Sequence, residues 1–533
     1  MREMGKTVTD TRHLPSFSLT NAGGARHVFP GQREALIAFI KEDCPTCNLA
    51  VPVIDALFMA HGGDIDFFVA GQTVDGNAKL AEVHGLAVPI LDDSALKVSF
   101  EFDIDTVPTL FWANAEGEMI REVIGFVREE WQTLDAELSD ATADVDWESL
   151  PEWRPGCGSL SVDPTISARL RAEASNSPLR AREIDIAPAD DEFEFMFDQG
   201  FTDGLPVVPP TPERVIRMLS GTKRDAQDIV AVMPPNMGEV TVEKIAINAV
   251  MAGCKPEYMP VLIAGIEAIC TDEFNIHGVM ATTMGAAPVM VVNGPIRNKL
   301  GMNMKLGALG QGSRANATMG RALRLIVRNV GGARPGGTER STLGNPMKFT
   351  MCFPEWEERS NWDPLHVERG FKAEDSVLTV FAMTSGPVQI VDQESREAAQ
   401  VAGSMGMALE AVFHPKSHRA SVDTLLVVCP EHVDTLARGG YTKADLRAQI
   451  QKVTARPLRD LVADENSGVG VKAESAAKMS EEKLDRLVPK FASEDFLHIV
   501  VAGSDAGKFS GAFHGWASGE IGSMPVSRKI EDG

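Results

Sequence analysis

Apolar residues between positions 15 and 140 follow two alternating patterns. The run EALIAFI (34–40) is short and continuously apolar after its first residue, which predicts a buried strand. The next stretch, PTCNLAVPVIDALFMAHG (45–62), repeats its apolar positions every three or four residues and predicts a helix ended by Gly62-Gly63. IDFFVAG (65–71) predicts a strand again, and NAKLAEVHG (77–85) a short helix closed by glycine. TLFWANAEGEMIREVIGF (109–126) predicts two strands around an Asn-Ala-Glu-Gly turn, and REEWQTLDAELSD (128–140) a final helix. Alternating strands and helices followed by a hairpin imply an α/β domain over 15–140, preceded by a tail over 1–14.

The pattern then changes. Residues 141–200 are acidic, weakly periodic and broken by Pro151, Pro155, Pro164, Pro178 and Pro188. They read as a linker able to wrap on a neighbour. From 201 to 533 the chain is again apolar, with many glycines and prolines. Helical periodicity covers 241–253, 260–270, 315–329, 393–408 and 442–453; strand-like runs cover 287–293, 377–382, 424–429 and 496–502. This predicts a larger C-terminal α/β or α+β domain, divisible into two subdomains.

Composition narrows the function classes. The formal charge of −24 argues against general binding to nucleic acid or an anionic membrane. No run approaches the ~18 uninterrupted apolar residues of a membrane span. The segment MREMGKTVTDTRH has no apolar core of a signal peptide, so a cytoplasmic location is expected. Seven cysteines in 533 residues do not make a secreted disulfide framework, and in a reducing compartment a close pair is catalytic or metal-binding more often than structural.

That pair is Cys44 and Cys47, in EDCPTCNLAVP. A zinc site would need a second pair or matched histidines, and His27, His61 and His84 are isolated. The context favours redox chemistry, with a metal site and an inert relic as the alternatives. Cys44 follows a predicted strand and opens a predicted helix, where free amides and the helix dipole stabilise a thiolate. Cys47, one turn on, is placed to attack a mixed disulfide at Cys44.

With DTVPTLFW (105–112) and the Gly117 turn, this segment resembles a thioredoxin domain of the TlpA and peroxiredoxin-related branch. The resemblance covers about a quarter of the chain. It implies Cys44 as nucleophile, Cys47 as resolving thiol and Pro108 as the substrate-facing cis-proline. The tryptophan common before the first cysteine is replaced by Asp43, whose charge is expected to oppose thiolate formation and raise the pKa of Cys44. No carboxylate within ALIAFI is available as a buried proton acceptor.

Most of 200–520 resembles, loosely, an uncharacterised bacterial family associated with UGSC-type (seleno)proteins. The segments are FTDGLPVVPPTPERV, TVEKIAINAVMAGCKPEYMPV, FNIHGVMATTMGAAPVMVVNGP, RANATMGRALRLIVRNVGGARPG and WDPLHVERGF. The resemblance implies a thiol-linked redox process. The residues themselves show ten Lys/Arg and a single acid, Glu339, between 285 and 350, interleaved with glycine-rich turns. Such a set, with Arg314, Arg321 and Arg334, suits a small anionic substrate; a basic interface facing an acidic partner is the alternative. No stretch has the spacing of a nucleotide-binding loop. Cys254, beside Lys255, is a candidate reactive thiol or a buried small hydrophobe, and His277 or His366 a candidate acid–base group or a structural histidine. Cys157, in RPGCGSLS, has flexible flanks that would let it reach another thiol, or is incidental to the linker.

The composite expectation is a thiol-disulfide oxidoreductase. A CxxC thioredoxin-like domain would exchange electrons with a C-terminal domain that binds a small anionic substrate and uses Cys254 and His277. The alternatives are a redox domain on a protein-binding or assembly module, and a lyase handling metals or organometals. No cofactor is expected beyond a redox-active Cys44–Cys47 disulfide, and no metal ligand is assigned. Expected partners are a thiol reductant or a client thiol or disulfide, with a further copy of the chain in a homo-oligomer.

Overall fold

The computed structural model describes residues 12–531, apart from 164–165, 168, 171–173, 175–176, 185 and 188–189. The predicted tail thus lies, through residue 11, outside the described residues, as do parts of the 141–200 segment. Two compact units are present, Met1–Ile184 and Asp185–Gly533.

The first unit is built on a five-stranded sheet. Its strands are β3 (Ala35–Ile40), β4 (Asp66–Gly71), β5 (Ile90–Asp92), β7 (Thr109–Ala113) and β8 (Met119–Ile124), in the order β5-β4-β3-β7-β8. β3, β4 and β5 run parallel; β7 runs antiparallel to β3, and β8 antiparallel to β7. The first crossover is α1 (Pro45–His61) and the second α2 (Val74–His84); the short α3 (Lys97–Glu101) follows β5, and α4 (Arg128–Leu138) closes the hairpin. This is the thioredoxin order. β3 is buried at all six positions, as its uninterrupted apolar run requires of a central strand. Phe17, Phe29, Phe68 and Phe102 pack edge to face or stacked, with centroids 5.4–5.8 Å apart. Each such burial is worth about 1.5–3 kcal/mol.

Two short strands before the sheet, β1 (Phe17–Thr20) and β2 (Arg26–Phe29), form a hairpin. The residues after α4 stay with this unit. β10 (Trp153–Arg154) pairs with β9 (Phe126–Val127), and β11 (Cys157–Gly158) pairs with β6 (Thr106–Val107), both antiparallel.

The second unit is organised by a seven-stranded mixed sheet. Its path runs Cys352–Pro354, Ala287–Asn293, Val377–Val391, Phe509–Gly515, Thr424–Val428, Leu497–Val501, and Val526–Lys529 adds to the third strand. Leu426, Val428, Ile499 and Val501 enter one core, and Leu425, Val427 and Val500 another. Both faces are therefore covered, which explains why the strands are apolar without alternation. The helices Val242–Ala252, Met259–Ile269, Arg314–Asn329, Ala398–Leu409 and Lys443–Thr454 match the predicted periods within a few residues. The strand predicted over 377–382 continues to Val391, through Gly386-Pro387 and two register shifts. No helix among the described residues is long and apolar enough to cross a membrane.

Candidate functional site

β3 delivers the chain to a tight turn, Lys41-Glu42-Asp43, and α1 begins directly after it. Cys44 is the N-cap of α1 in an extended conformation (φ −88°, ψ 114°), and Pro45 occupies the first helical position, where no amide is missed. The Cys44 sulfur therefore takes the place of a capping oxygen and accepts the Cys47 N–H at 3.3 Å. Across the gap, Cys44 Sγ lies 3.5 Å from the Val107 carbonyl, and the Val107–Pro108 bond is cis. Cys47 Sγ accepts the Lys41 N–H at 3.4 Å. Both cysteines are free thiols, and both are buried.

The two sulfurs differ in acidity. Cys44 is lowered to about 5. The Cys47 thiol hydrogen-bonds to it first of all; burial opposes; the Cys157 thiol and the amides of Cys47 and Thr46 complete the shell. Cys47 is raised far above the thiol range by burial, then by its hydrogen bond to Cys44 and by the charge there. The arrangement holds one proton on Cys47 and a thiolate on Cys44 at neutral pH.

The expected effect of Asp43 is corrected. Its side chain is 65% exposed and is paired with Lys41 Nζ at 3.1 Å, so its charge is screened and partly neutralised. The Cys44 thiol is accordingly held down, not raised.

A third thiol belongs to the site. β11 sets Cys157 directly opposite Val107, and the Cys157 thiol helps to lower the pKa of Cys44. The influence of Cys44 on Cys157, with burial second, raises Cys157 above its ordinary range. The strap around it is fastened at several points. Thr46 Oγ1 donates to the Pro155 carbonyl at 2.6 Å, and Lys41 Nζ to the Gly158 carbonyl at 3.1 Å. Gln72, buried, donates to Ser159 Oγ at 2.6 Å and to Ser99 Oγ at 3.1 Å, and accepts the Leu160 N–H at 3.0 Å. Ser99 in turn donates to the buried Asp93, whose carboxyl is raised by burial despite that bond. Gly156 is required here: a Cβ would stand 2.6 Å from the Val107 carbonyl oxygen. In sequence, only the small residues flanking Cys157 hinted at this close approach; Thr46, Lys41 and Gln72 carried no signal.

The histidines near the pair are structural. His61 bonds to Asp135 and Ser139, and His84 to Asn48. Among the described residues no three His, Cys, Asp or Glu are grouped to hold a metal ion.

The candidate residues of the second unit are occupied otherwise. Cys254 is buried, donates to the Thr318 carbonyl at 3.4 Å, and is pushed up to about 12 by burial, which is the reverse of a reactive thiol. Arg314 donates to the Gly253 and Cys254 carbonyls at the end of the helix Val242–Ala252. Arg321 grips Asp203 through two bonds of 2.9 and 2.8 Å. Arg324 and Lys348 converge on Glu339. The basic excess read from 285–350 is thus largely spent on carboxylates and carbonyls of the same unit. Arg334 is exposed, as is His277 on the short helix Ile276–Ala281, while His366 is buried.

No family model matches the chain, and no curated protein matches it. Solved structures do, over the N-terminal unit. StoA from Bacillus subtilis is 23% identical and covers 22% of this chain and 96% of its own, with a TM-score of 0.21. A secreted disulfide oxidoreductase of Mycobacterium tuberculosis homologous to E. coli DsbE is 18% identical, with coverages of 20% and 81% and a TM-score of 0.19. The thioredoxin domain of a thiol-disulfide oxidoreductase from Bacteroides vulgatus is 12% identical, with coverages of 25% and 100% and a TM-score of 0.23.

Proposed function

We propose that the N-terminal unit catalyses thiol–disulfide exchange through Cys44 and Cys47. The observation that carries this reading is the Cys44 sulfur itself, set as the cap of α1 and lowered to about 5 beside a neighbouring thiol that keeps its proton. Towards a client disulfide, the Cys44 thiolate attacks one sulfur and the other leaves as a thiolate. Cys47 then gives up its proton to that leaving group and attacks Cys44 Sγ. The client's first sulfur departs, and the Cys44–Cys47 disulfide remains, two electrons having passed to the client. A thiol reductant restores the pair by the reverse route.

The partner is proposed to be a client thiol or disulfide outside the chain. Cys254 is a poor acceptor, being buried and held up to about 12. The test is reduction of a disulfide reporter by the reduced full chain. Turnover is expected for the parent and for Cys254→Ser, with loss for Cys44→Ser and a trapped mixed disulfide once both neighbouring thiols are removed, in Cys47→Ser/Cys157→Ser. Undiminished turnover by Cys44→Ser would sink the reading.

A further inference from the structure

We propose that Cys157 is a third redox thiol, delivered to Cys44 by the strap 153–162 as a client built into the chain. The inference rests on the exchange reading of Cys44 and assigns that site a partner within the chain.

Three observations carry it. First, β11 runs antiparallel to β6 with Cys157 opposite Val107, and the Val107 carbonyl is the atom that Cys44 Sγ touches. A thiol on a strand paired at that edge is brought to the nucleophile by backbone pairing, which is how an extended polypeptide adds to an open strand. Second, the strap is held by groups of the site itself: Thr46, inside the CxxC loop, bonds to Pro155, and Lys41, next to Asp43, bonds to Gly158. Third, close approach is provided for. Gly156 admits the Val107 carbonyl where any side chain would collide, and Gly125, at φ +72°, lies where a Cβ would be 3.2 Å from the Arg154 carbonyl and the Gly156 nitrogen.

The step conserves electrons. In the oxidised chain, Cys157 loses its proton and attacks Cys44 Sγ of the Cys44–Cys47 disulfide. The Cys44–Cys157 bond forms, the Cys44–Cys47 bond breaks, and Cys47 leaves as a thiolate. Cys47 is the weakest acid of the three and takes the proton. The same attack on a mixed disulfide at Cys44 expels the client as a thiolate. The strap also fills the edge at which an outside polypeptide would pair, so such a client competes with it.

The test uses the full chain carrying Cys47→Ala, incubated with oxidised glutathione, acid-quenched, alkylated and mapped by non-reducing peptide mass spectrometry. Glutathione first adds to Cys44, and Cys157 then displaces it. An in-chain thiol acts at an effective concentration on the order of millimolar or above. With ~0.1 mM reduced glutathione also present as competitor, the Cys44–Cys157 peptide should therefore exceed glutathionylated Cys44 by about tenfold. Stable glutathione on Cys44 with Cys157 alkylated would overturn the third thiol and leave the exchange reading standing. Failure of Cys44 to react at all would overturn both. Because Cys47 is buried, the unsubstituted chain is oxidised substoichiometrically alongside: a Cys44–Cys157 peptide is expected, and Cys44–Cys47 alone would count against the proposal. Gly156→Val should abolish the Cys44–Cys157 peptide while Cys44 still takes glutathione; an undiminished in-chain link there would refute delivery by strand pairing.

Discussion

The amide of Cys47 and the sulfur of Cys44 are joined by a hydrogen bond of 3.3 Å across the first turn of α1. The bond strengthens when Cys44 is ionised, so the reduced fold prefers the thiolate. With the Cys47 thiol as the largest influence and this amide adding to it, Cys44 is lowered to about 5 when folded, against ~8.5 in an unfolded chain. For a depressed acid the stabilisation is complete above the unfolded value and disappears as pH falls through the folded one. The melting temperature of the reduced chain minus that of Cys44→Ser should therefore grow from pH ~5 to ~8.5 and level off above. Iodoacetamide alkylation of Cys44 should show its midpoint near 5. A midpoint in the ordinary thiol range would contradict the account in which the Cys47 thiol and the amides at the start of α1 hold the Cys44 thiolate.

Asp43 supplies a control. Its carboxylate is largely solvated and bound to Lys41, so Asp43→Asn should leave the alkylation midpoint of Cys44 nearly where it is. A fall of a full unit on removing the charge would show that solvent does not screen it, since one unit corresponds to about 1.4 kcal/mol.

Gln72 ties the strap to the body of the thioredoxin unit. Gln72→Leu keeps the volume but leaves the Leu160 N–H without its acceptor, while the hydroxyls of Ser159 and Ser99 keep their bonds to Ser161 and Asp93. Each buried group left unpaired costs about 1–3 kcal/mol. Hydrogen exchange of the Leu160 amide should accelerate by at least ~10-fold, while β3, in the sheet centre, keeps its protection. Equal loss of protection in β3 would mean that Gln72 supports the whole unit and not the strap.

Much of this unit was legible in the chain because its elements are long and periodic. Residues 34–40 and 45–62 are recovered almost to the residue as Ala35–Ile40 and Pro45–His61. The strap was not legible for a physical reason. β10 and β11 are two residues each, and strands that short carry no period; their order comes from Thr46, Lys41 and Gln72, which lie far away in sequence. The second unit shows the complementary failure. A cluster of basic residues in sequence resembles a ligand site until the carboxylates that fold onto it, Asp203 and Glu339 among them, are seen in place. The strand Val377–Val391 was cut short for a similar reason: Gly386-Pro387 reads as a break, whereas the sheet absorbs it with a shifted register.

The Arg321–Asp203 pair permits a direct decision between the two roles of the basic segment. The guanidinium holds Asp203 through two hydrogen bonds and also donates to the carbonyls of Leu205 and Pro206, so it pins the segment before residue 206 to the helix Arg314–Asn329. Burial alone would raise the Asp203 carboxyl; the bonds and charge of Arg321 outweigh it, and the group is held below the usual carboxylate range. Its contribution is thus full above the unfolded value of ~3.9 and lost as pH falls below it through the folded value. Arg321→Met should lower the stability of the second unit by about 3–5 kcal/mol if the pair behaves as buried, less in proportion to its remaining solvent contact. Asp203→Asn should cost less, because a neutral amide still accepts one hydrogen bond. Both should leave the alkylation midpoint of Cys44 unchanged. Denaturation of the second unit followed by its tryptophan emission provides the measurement. If Arg321→Met leaves stability intact and instead abolishes binding of a small dicarboxylate, the arginine is a ligand-binding group and the structural assignment fails.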